Sequence, residues 1–415
     1  MGFKKALCLL FLLISISALH SQDSVRFYKT IDTLCSNYFY GRGYENEGHS
    51  KTADFLIKQF KNSDGLEVQH FSFEINHFIG EMSLKFNRQS LAPCQDFIPI
   101  AQANGGEAKL RAVLLDSLFF LDSLQIKKFI DKDLKKKAII YNDKFEAKIT
   151  SNPLLKEKIY SGSGALIKCT NGATLKTFST SAWMPPAFSV VDTVYKNQKN
   201  ITFELHQKID TINSRNISAI IKGKDTTLPE LIICAHYDHV GGYEGCFIPG
   251  ANDNATGLAM LLELYHYYLE HQPQRSIRFI AFGAEEVGLV GSKFYVRNIK
   301  KEDIFFVLNL DLLGAGSGGI TVVNATILPE QFSELEKINK DLNLFQTIKK
   351  RGEAANSDHY YFTKKGIPSF FIYSNGKVGG YHNISDTPNA LEKGNFSSLF
   401  KLLEVFSNKI CSLNN

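Results

Sequence analysis

The chain has 415 residues, with 47 basic and 42 acidic side chains and a hydrophobic fraction of 44%. That length exceeds one ordinary core and predicts two domains, or one large domain carrying an insertion. A formal charge of +5 is too small for a nucleic-acid-binding footprint, and the composition is that of a globular protein.

The first element is "MGFKKALCLLFLLISISALHSQDS", with two lysines, an apolar run from Ala6 to about Leu19, and then small and polar residues. This pattern predicts a secretory signal peptide over residues 1–21. The apolar run is shorter than the roughly 20 residues of a membrane span, so no stable membrane anchor is expected. Export to a periplasm or the extracellular space follows, without a choice between them. Removing Lys4 and Lys5 leaves 45 basic against 42 acidic residues. Six cysteines then remain, Cys35, Cys94, Cys169, Cys234, Cys246 and Cys411, none in a metal-binding spacing, and their pairing is not deducible from sequence.

From about Asp23 to Val68 the pattern is helical, with Ala53, Phe55, Leu56 and Phe60 on one face of "HSKTADFLIKQFKNS". Between about residues 85 and 205 the character changes to short β-like runs, "KAIIY", "GALIKC" and "PAFSVV", which read as a separate small α/β module. Within it, "KKFIDKDLKKKA" reads as a solvated helix face. After about residue 215 strands and helices alternate: "ELIICAHY", "NATGLAMLLELYHYYLEHQ", "SIRFIAF", "VGLVGSKFYVRNI", "IFFVLNLDLL", "PEQFSELEKINKDL" and "IPSFFIYS". The expected fold is a three-layer α/β/α domain with a mostly parallel sheet, formed by residues 22–85 and 206–415 and interrupted by an insert at 86–205.

Polar residues interrupt this pattern at the carboxyl ends of the strands. They are His236 and Asp238 in "CAHYDHVGG", Asp253 in "GANDNATG", Glu285 and Glu286 in "GAEEVG", Asp311 in "NLDLLG", and Tyr381, His382 and Asp386 in "GGYHNISDTP". In an open parallel sheet those ends share one rim, where ligands bind. Two adjacent glutamates at a buried rim repel each other unless a cation is present. Histidine and carboxylate donors without cysteine suit zinc or a similar divalent ion. A metal lowers the pKa of bound water to about 7, and one glutamate of the pair is placed to take its proton while the other ligates. Asp238 is expected to accept the second ring proton of His236. His239 and His359 are left without a role. "GAGSGG" precedes a β-like run, not a helix, which argues against a dinucleotide site, and no G-x-S-x-G nucleophile elbow is present.

Taken in order, "AHYDHVG", "GANDNATG", "GAEEVGLVGS", "NLDLLG", "SDHYYF" and "YHNISDT" closely resemble the two-zinc aminopeptidases of peptidase clan MH. The resemblance covers about residues 30–75 and 215–400, and the intervening segment loosely resembles a protease-associated insert. It implies two zinc ions, one held by His236 and Asp311, the other by Glu286 and His382, with Asp253 bridging. It further implies Glu285 as general base and acid, Asp238 as the orienter of His236, Tyr381 as a donor to the tetrahedral intermediate, and often a cis peptide between Asp253 and Asn254. Asp386 is placed in the outer shell. Arg351 stands where some relatives carry a substrate-binding arginine, or it belongs to a charged loop. The implied substrates are peptides with free N-termini. A glutaminyl-peptide cyclotransferase with one zinc is the alternative on the same scaffold; a decayed binding module and a carboxypeptidase are further rivals.

Overall fold

The computed structural model describes residues 24–194 and 199–412. The expected signal peptide lies outside the described residues.

The main sheet has eight strands: Gly65–Phe78 (β1), Gln207–Ile221 (β2), Glu230–His236 (β3), Ile277–Phe282 (β4), Ile304–Leu310 (β5), Ile320–Val323 (β6), Ile348–Lys350 (β7) and Ser369–Ser374 (β8). Their order is β1-β2-β4-β3-β5-β8-β6-β7. The four central strands β4, β3, β5 and β8 run parallel, while β1, β2 and β6 join antiparallel. Continuous apolar runs in the central strands are explained by burial on both faces. Leu231, Ile233, Phe279, Phe306 and Leu308 face one core, and the alternate residues Ile232, Cys234, Ile280, Phe282 and Val307 face the other.

The first face is covered by helices at 24–34 (α1), Gly48–Gln59 (α2), Thr256–Glu270 (α3), Pro329–Leu342 (α5) and Phe396–Ser412 (α7), the second by Val290–Arg297 (α4) and His359–Lys364 (α6). Helix α3 is buried from Thr256 to Tyr265 because "TGLAMLLELY" supplies apolar side chains on every side. Its buried Glu263 accepts from Nε and Nη2 of Arg26 in α1, at 2.6 and 2.5 Å, which satisfies a carboxylate that would otherwise be costly there.

A second eight-stranded sheet lies between residues 83 and 205, with its own apolar core around Phe97, Ile139, Leu166, Phe188 and Phe203. The antiparallel ribbon of β1 and β2, paired from Gly65↔Ile220 to Phe78↔Gln207, leads from the main sheet into it. The helical reading up to Val68 is corrected here: α1 and α2 are separated by tight turns, and β1 begins at Gly65. Alternation of Phe71, Phe73 and Ile75 with polar residues is the strand signal that decides this stretch. "KKFIDKDLKKKA" is likewise only partly helical, since Ser123–Ile130 forms a helix and Lys135–Lys137 lie in the strand Leu134–Asn142. Cys94 and Cys246 form a disulfide between the second sheet's region and the loop after β3, whereas Cys35, Cys169, Cys234 and Cys411 are buried thiols.

Candidate metal centre

Because the four central strands are parallel, their carboxyl ends meet at one rim, and the loops that follow carry the polar residues singled out above. Two groups of donors form there: His239, Asp253, Glu286 and His382, and next to them His236, Glu285 and Asp311; within each group the ligand atoms lie within 4.8 Å of one another.

The histidine tautomers are set by main-chain carbonyls, which can only accept. His236 Nδ1 lies 3.0 Å from the carbonyl of Asp238, and His382 Nδ1 lies 3.0 Å from the carbonyl of Lys176. Each Nδ1 therefore carries the proton and each Nε2 faces the site. There His236 Nε2 is 3.5 Å from Asp253 Oδ1 and 3.3 Å from Asp311 Oδ1, and His382 Nε2 is 3.1 Å from both Asp253 Oδ2 and Glu286 Oε2. A ring lone pair and a carboxylate oxygen repel unless a proton or a metal ion lies between them. His382 Nε2 and Asp311 Oδ1 are also buried without a hydrogen-bond partner. The donor set thus fits a pair of divalent cations, with the two oxygens of Asp253 turned toward different histidines.

The electrostatics show the same demand for positive charge. Burial lowers the pKa of His382, but Glu286 and Asp253 outweigh it and raise the imidazole to about 11. His236 is raised in the same way, with burial opposed chiefly by Asp311. Burial pushes Glu285 well above the usual carboxylate range, aided by Glu286 and only partly offset by His236. Glu286 is held well below that range, because His382 and His239 outweigh its burial. The adjacent glutamates therefore sit in different electrostatic surroundings: burial dominates at Glu285 and the two histidines dominate at Glu286.

The supporting contacts correct one expectation. The carboxylate of Asp238 does not take the ring proton of His236; the main-chain carbonyl does. Its side chain instead accepts from the backbone N–H groups of Glu285 at 3.0 Å and Glu286 at 3.3 Å, and from Tyr44 at 3.3 Å. The N–H groups that follow β4 and have left its ladder are a better match for a buried carboxylate than a ring already satisfied. Asp386 accepts from the N–H groups of Asn252 and Asp253 at 2.8 and 3.1 Å, across the loop that contains the cis Asp253–Asn254 peptide. Ser357 donates to Asp311 Oδ2 at 3.0 Å. The Tyr381 ring stacks on His382 with centroids 3.7 Å apart and is 55% exposed, which puts it on the solvent side of the site.

Sequence reasoning passed over several contributors. His239 donates from Nδ1 to Glu286 Oε1 at 2.9 Å and is fully buried. Arg42, also fully buried, donates to the carbonyls of Pro249, Gly250 and Asp253 at 2.8, 2.6 and 2.9 Å, fixing the loop that presents Asp253. The tetrad "HYDH" was the available signal for His239, whereas nothing near Arg42 in sequence points to a loop 200 residues away. His359 belongs to neither group; it packs against Phe371, and burial lowers its pKa to about 4. Arg351 is exposed, with its guanidinium 3.4 Å from the Tyr373 hydroxyl, and is also in neither group.

The sequence model of peptidase family M28 matches residues 216–406. Aminopeptidase YwaD of Bacillus subtilis is 34% identical over 187 residues, 41% of this chain and 38% of that one, so the chain spans well under half of that curated relative. The structure titled BSAP, a zinc aminopeptidase from Bacillus subtilis, superposes with a TM-score of 0.73 at 21% identity, covering 94% of this chain and 95% of that one. An aminopeptidase from Aneurinibacillus sp. strain AM-1 gives a TM-score of 0.67 at 21% identity, with 94% of each chain covered. These superpositions concern the α/β fold. The stretch matched by that sequence model contains all seven donors of the two groups but not Arg42, Tyr44 or Lys176, which reach the site from outside it.

Proposed function

We propose that the protein is a zinc-dependent aminopeptidase that removes the first residue of peptides. The observation that carries this reading is the arrangement around Asp253, whose two carboxylate oxygens face His236 and His382 in adjoining donor groups. His236 and Asp311 would hold one zinc, Glu286 and His382 the other, and Asp253 both. When bound, the ions would supply a water acidified to near neutrality and would polarise the scissile carbonyl.

The chain's own groups account for the remaining steps. Glu285, beside His236 and Asp311 in the second donor group, accepts the proton of the attacking water and returns it to the departing amine. Asp238 fixes the backbone of both glutamates, and His239 fixes the carboxylate of Glu286. Tyr381, at the solvent side, donates to the oxyanion. A free substrate α-amino group would bind at the metal and carboxylate cluster, which would restrict cleavage to the N-terminal residue. Export through the N-terminal segment, to a periplasm or the extracellular space, completes the reading; among the described residues no helix is long and apolar enough to cross a membrane.

The test is hydrolysis of aminoacyl-amides and Gln-peptides by wild type and Glu285→Gln. Wild type should release free amino acids, and the variant should lose about 10²–10⁴-fold in kcat while keeping its metal. Ammonia release from Gln-peptides without an amino acid product would assign a cyclotransferase instead, and full activity of Glu285→Gln would refute the role of that residue.

A further inference from the structure

The second sheet sends one long irregular segment, residues 171–186, between the strands Ser163–Thr170 and Ala187–Val191. Sixteen residues without a helix or strand, with a single β-bridge at Met184, are uncommon in a compact unit and mark a segment held for a purpose. This segment reaches the metal centre. The Lys176 N–H donates to the carbonyl of His382 at 3.0 Å, while the Lys176 carbonyl accepts the Nδ1 proton of His382 at 3.0 Å, so backbone and ring of His382 are gripped by one residue.

Lys176 is itself pinned. Its side chain is 3% exposed, and its ammonium donates to Glu45 Oε1 at 2.7 Å and to the carbonyl of Gly242 at 2.6 Å, over the face of Tyr243 at 4.4 Å. Burying an ammonium is costly unless it is paired, and both partners belong to the main-sheet unit: Glu45 to the turn before α2 and Gly242 to the loop after His236. That loop is the one tied back to the second sheet's region through Cys94–Cys246. Two positions on, Phe178 packs on Tyr44 at 5.1 Å, the residue that donates to Asp238.

We infer that Lys176 is a positioning residue of the metal centre: its buried ammonium anchors the insert's strap, so that its carbonyl fixes the tautomer and orientation of His382. The insert is then a structural part of one of the two metal sites. The inference rests on the metal-centre reading above. Outer-shell partners of a metal-bound imidazole affect affinity by about 10–100-fold, which sets the expected size of the effect.

The experiment is a cobalt(II) titration of the metal-stripped full chain, followed by visible absorption, on wild type, Lys176→Met and Glu45→Gln, with melting temperatures measured alongside. Wild type should take up two equivalents. Lys176→Met should bind one of them about 10–100-fold more weakly with an altered spectrum for that site, and leave the other within about twofold. Glu45→Gln keeps the side-chain shape, guards against a Lys176 variant that does not fold, and should show the same one-sided loss to a smaller extent. Two unchanged affinities in both variants would overturn the inference and leave the metal-centre reading intact. Equal weakening of both equivalents in step with the melting temperature would overturn it too, by reducing Lys176 to a packing residue. Wild type that binds no metal would remove the metal-centre reading and this inference together.

Discussion

Both sheets have eight strands, four of them adjacent and parallel, and both end those parallel strands in polar residues. In the second sheet, Asp116 accepts from the N–H of Phe119 at 3.0 Å, while Asn142 accepts from the N–H of Lys144 at 3.2 Å and donates to Asp192 at 2.8 Å. Asp116 and Asn142 are satisfied by turn and cross-loop contacts, the ordinary reason for placing Asp and Asn where a strand gives way to a turn, and although Thr170 Oγ1 is buried there without a partner, it carries no charge. At the rim of the main sheet, four carboxylates crowd three imidazoles, and two of the facing atoms have no hydrogen-bond partner. The same architecture therefore yields a balanced edge in one case and a deficit of positive charge in the other. The imbalance, not the presence of polar residues at strand ends, marks the functional rim.

This contrast is open to direct attack. The largest effect is expected for Asp253→Ala, which removes the carboxylate shared by the two donor groups. Both metal equivalents should be lost and turnover should fall below detection, checked by elemental analysis and a peptide assay; retention of a full metal complement would break the contrast. Tyr381→Phe should retain both metals and a near-normal KM while kcat falls by roughly 10²-fold, the usual cost of one oxyanion donor. A smaller or absent loss would confine Tyr381 to stacking on His382. At the bottom of the scale, Asn142→Ala removes a satisfied polar group at the other sheet's edge. It should cost about 1 kcal/mol of stability in denaturant melts and leave kcat and metal content unchanged; a catalytic defect there would mean that the two edges are not independent in the way argued.

Most of the rim was legible in the sequence because each of its residues lies at the end of an apolar run or in the loop that follows it, and parallel strands bring such positions together whatever their separation in the chain. His236, Asp253, Glu285, Glu286, Asp311 and His382 converge for that reason. The contributions of Arg42 and Lys176 were not legible. Both act through main-chain carbonyls of distant loops, and a carbonyl carries no mark in the sequence of its host residue. The ribbon of β1 and β2 was missed on different grounds. Its alternation is diluted by polar residues on its exposed face, so that the stretch that forms β2 is assigned no element from sequence. Asp238 shows a third kind of limit: the residue was identified, but the choice between its carboxylate and its carbonyl as the partner of His236 depends on which donors follow β4, a matter of tertiary geometry.

The most direct test of the account is the metal content of active protein purified without added chelator, measured together with specific activity during stepwise removal and return of zinc. The account predicts two equivalents per chain, activity that falls as they are withdrawn, and recovery when zinc is restored. Fully active protein that contains no metal and ignores chelators would contradict it.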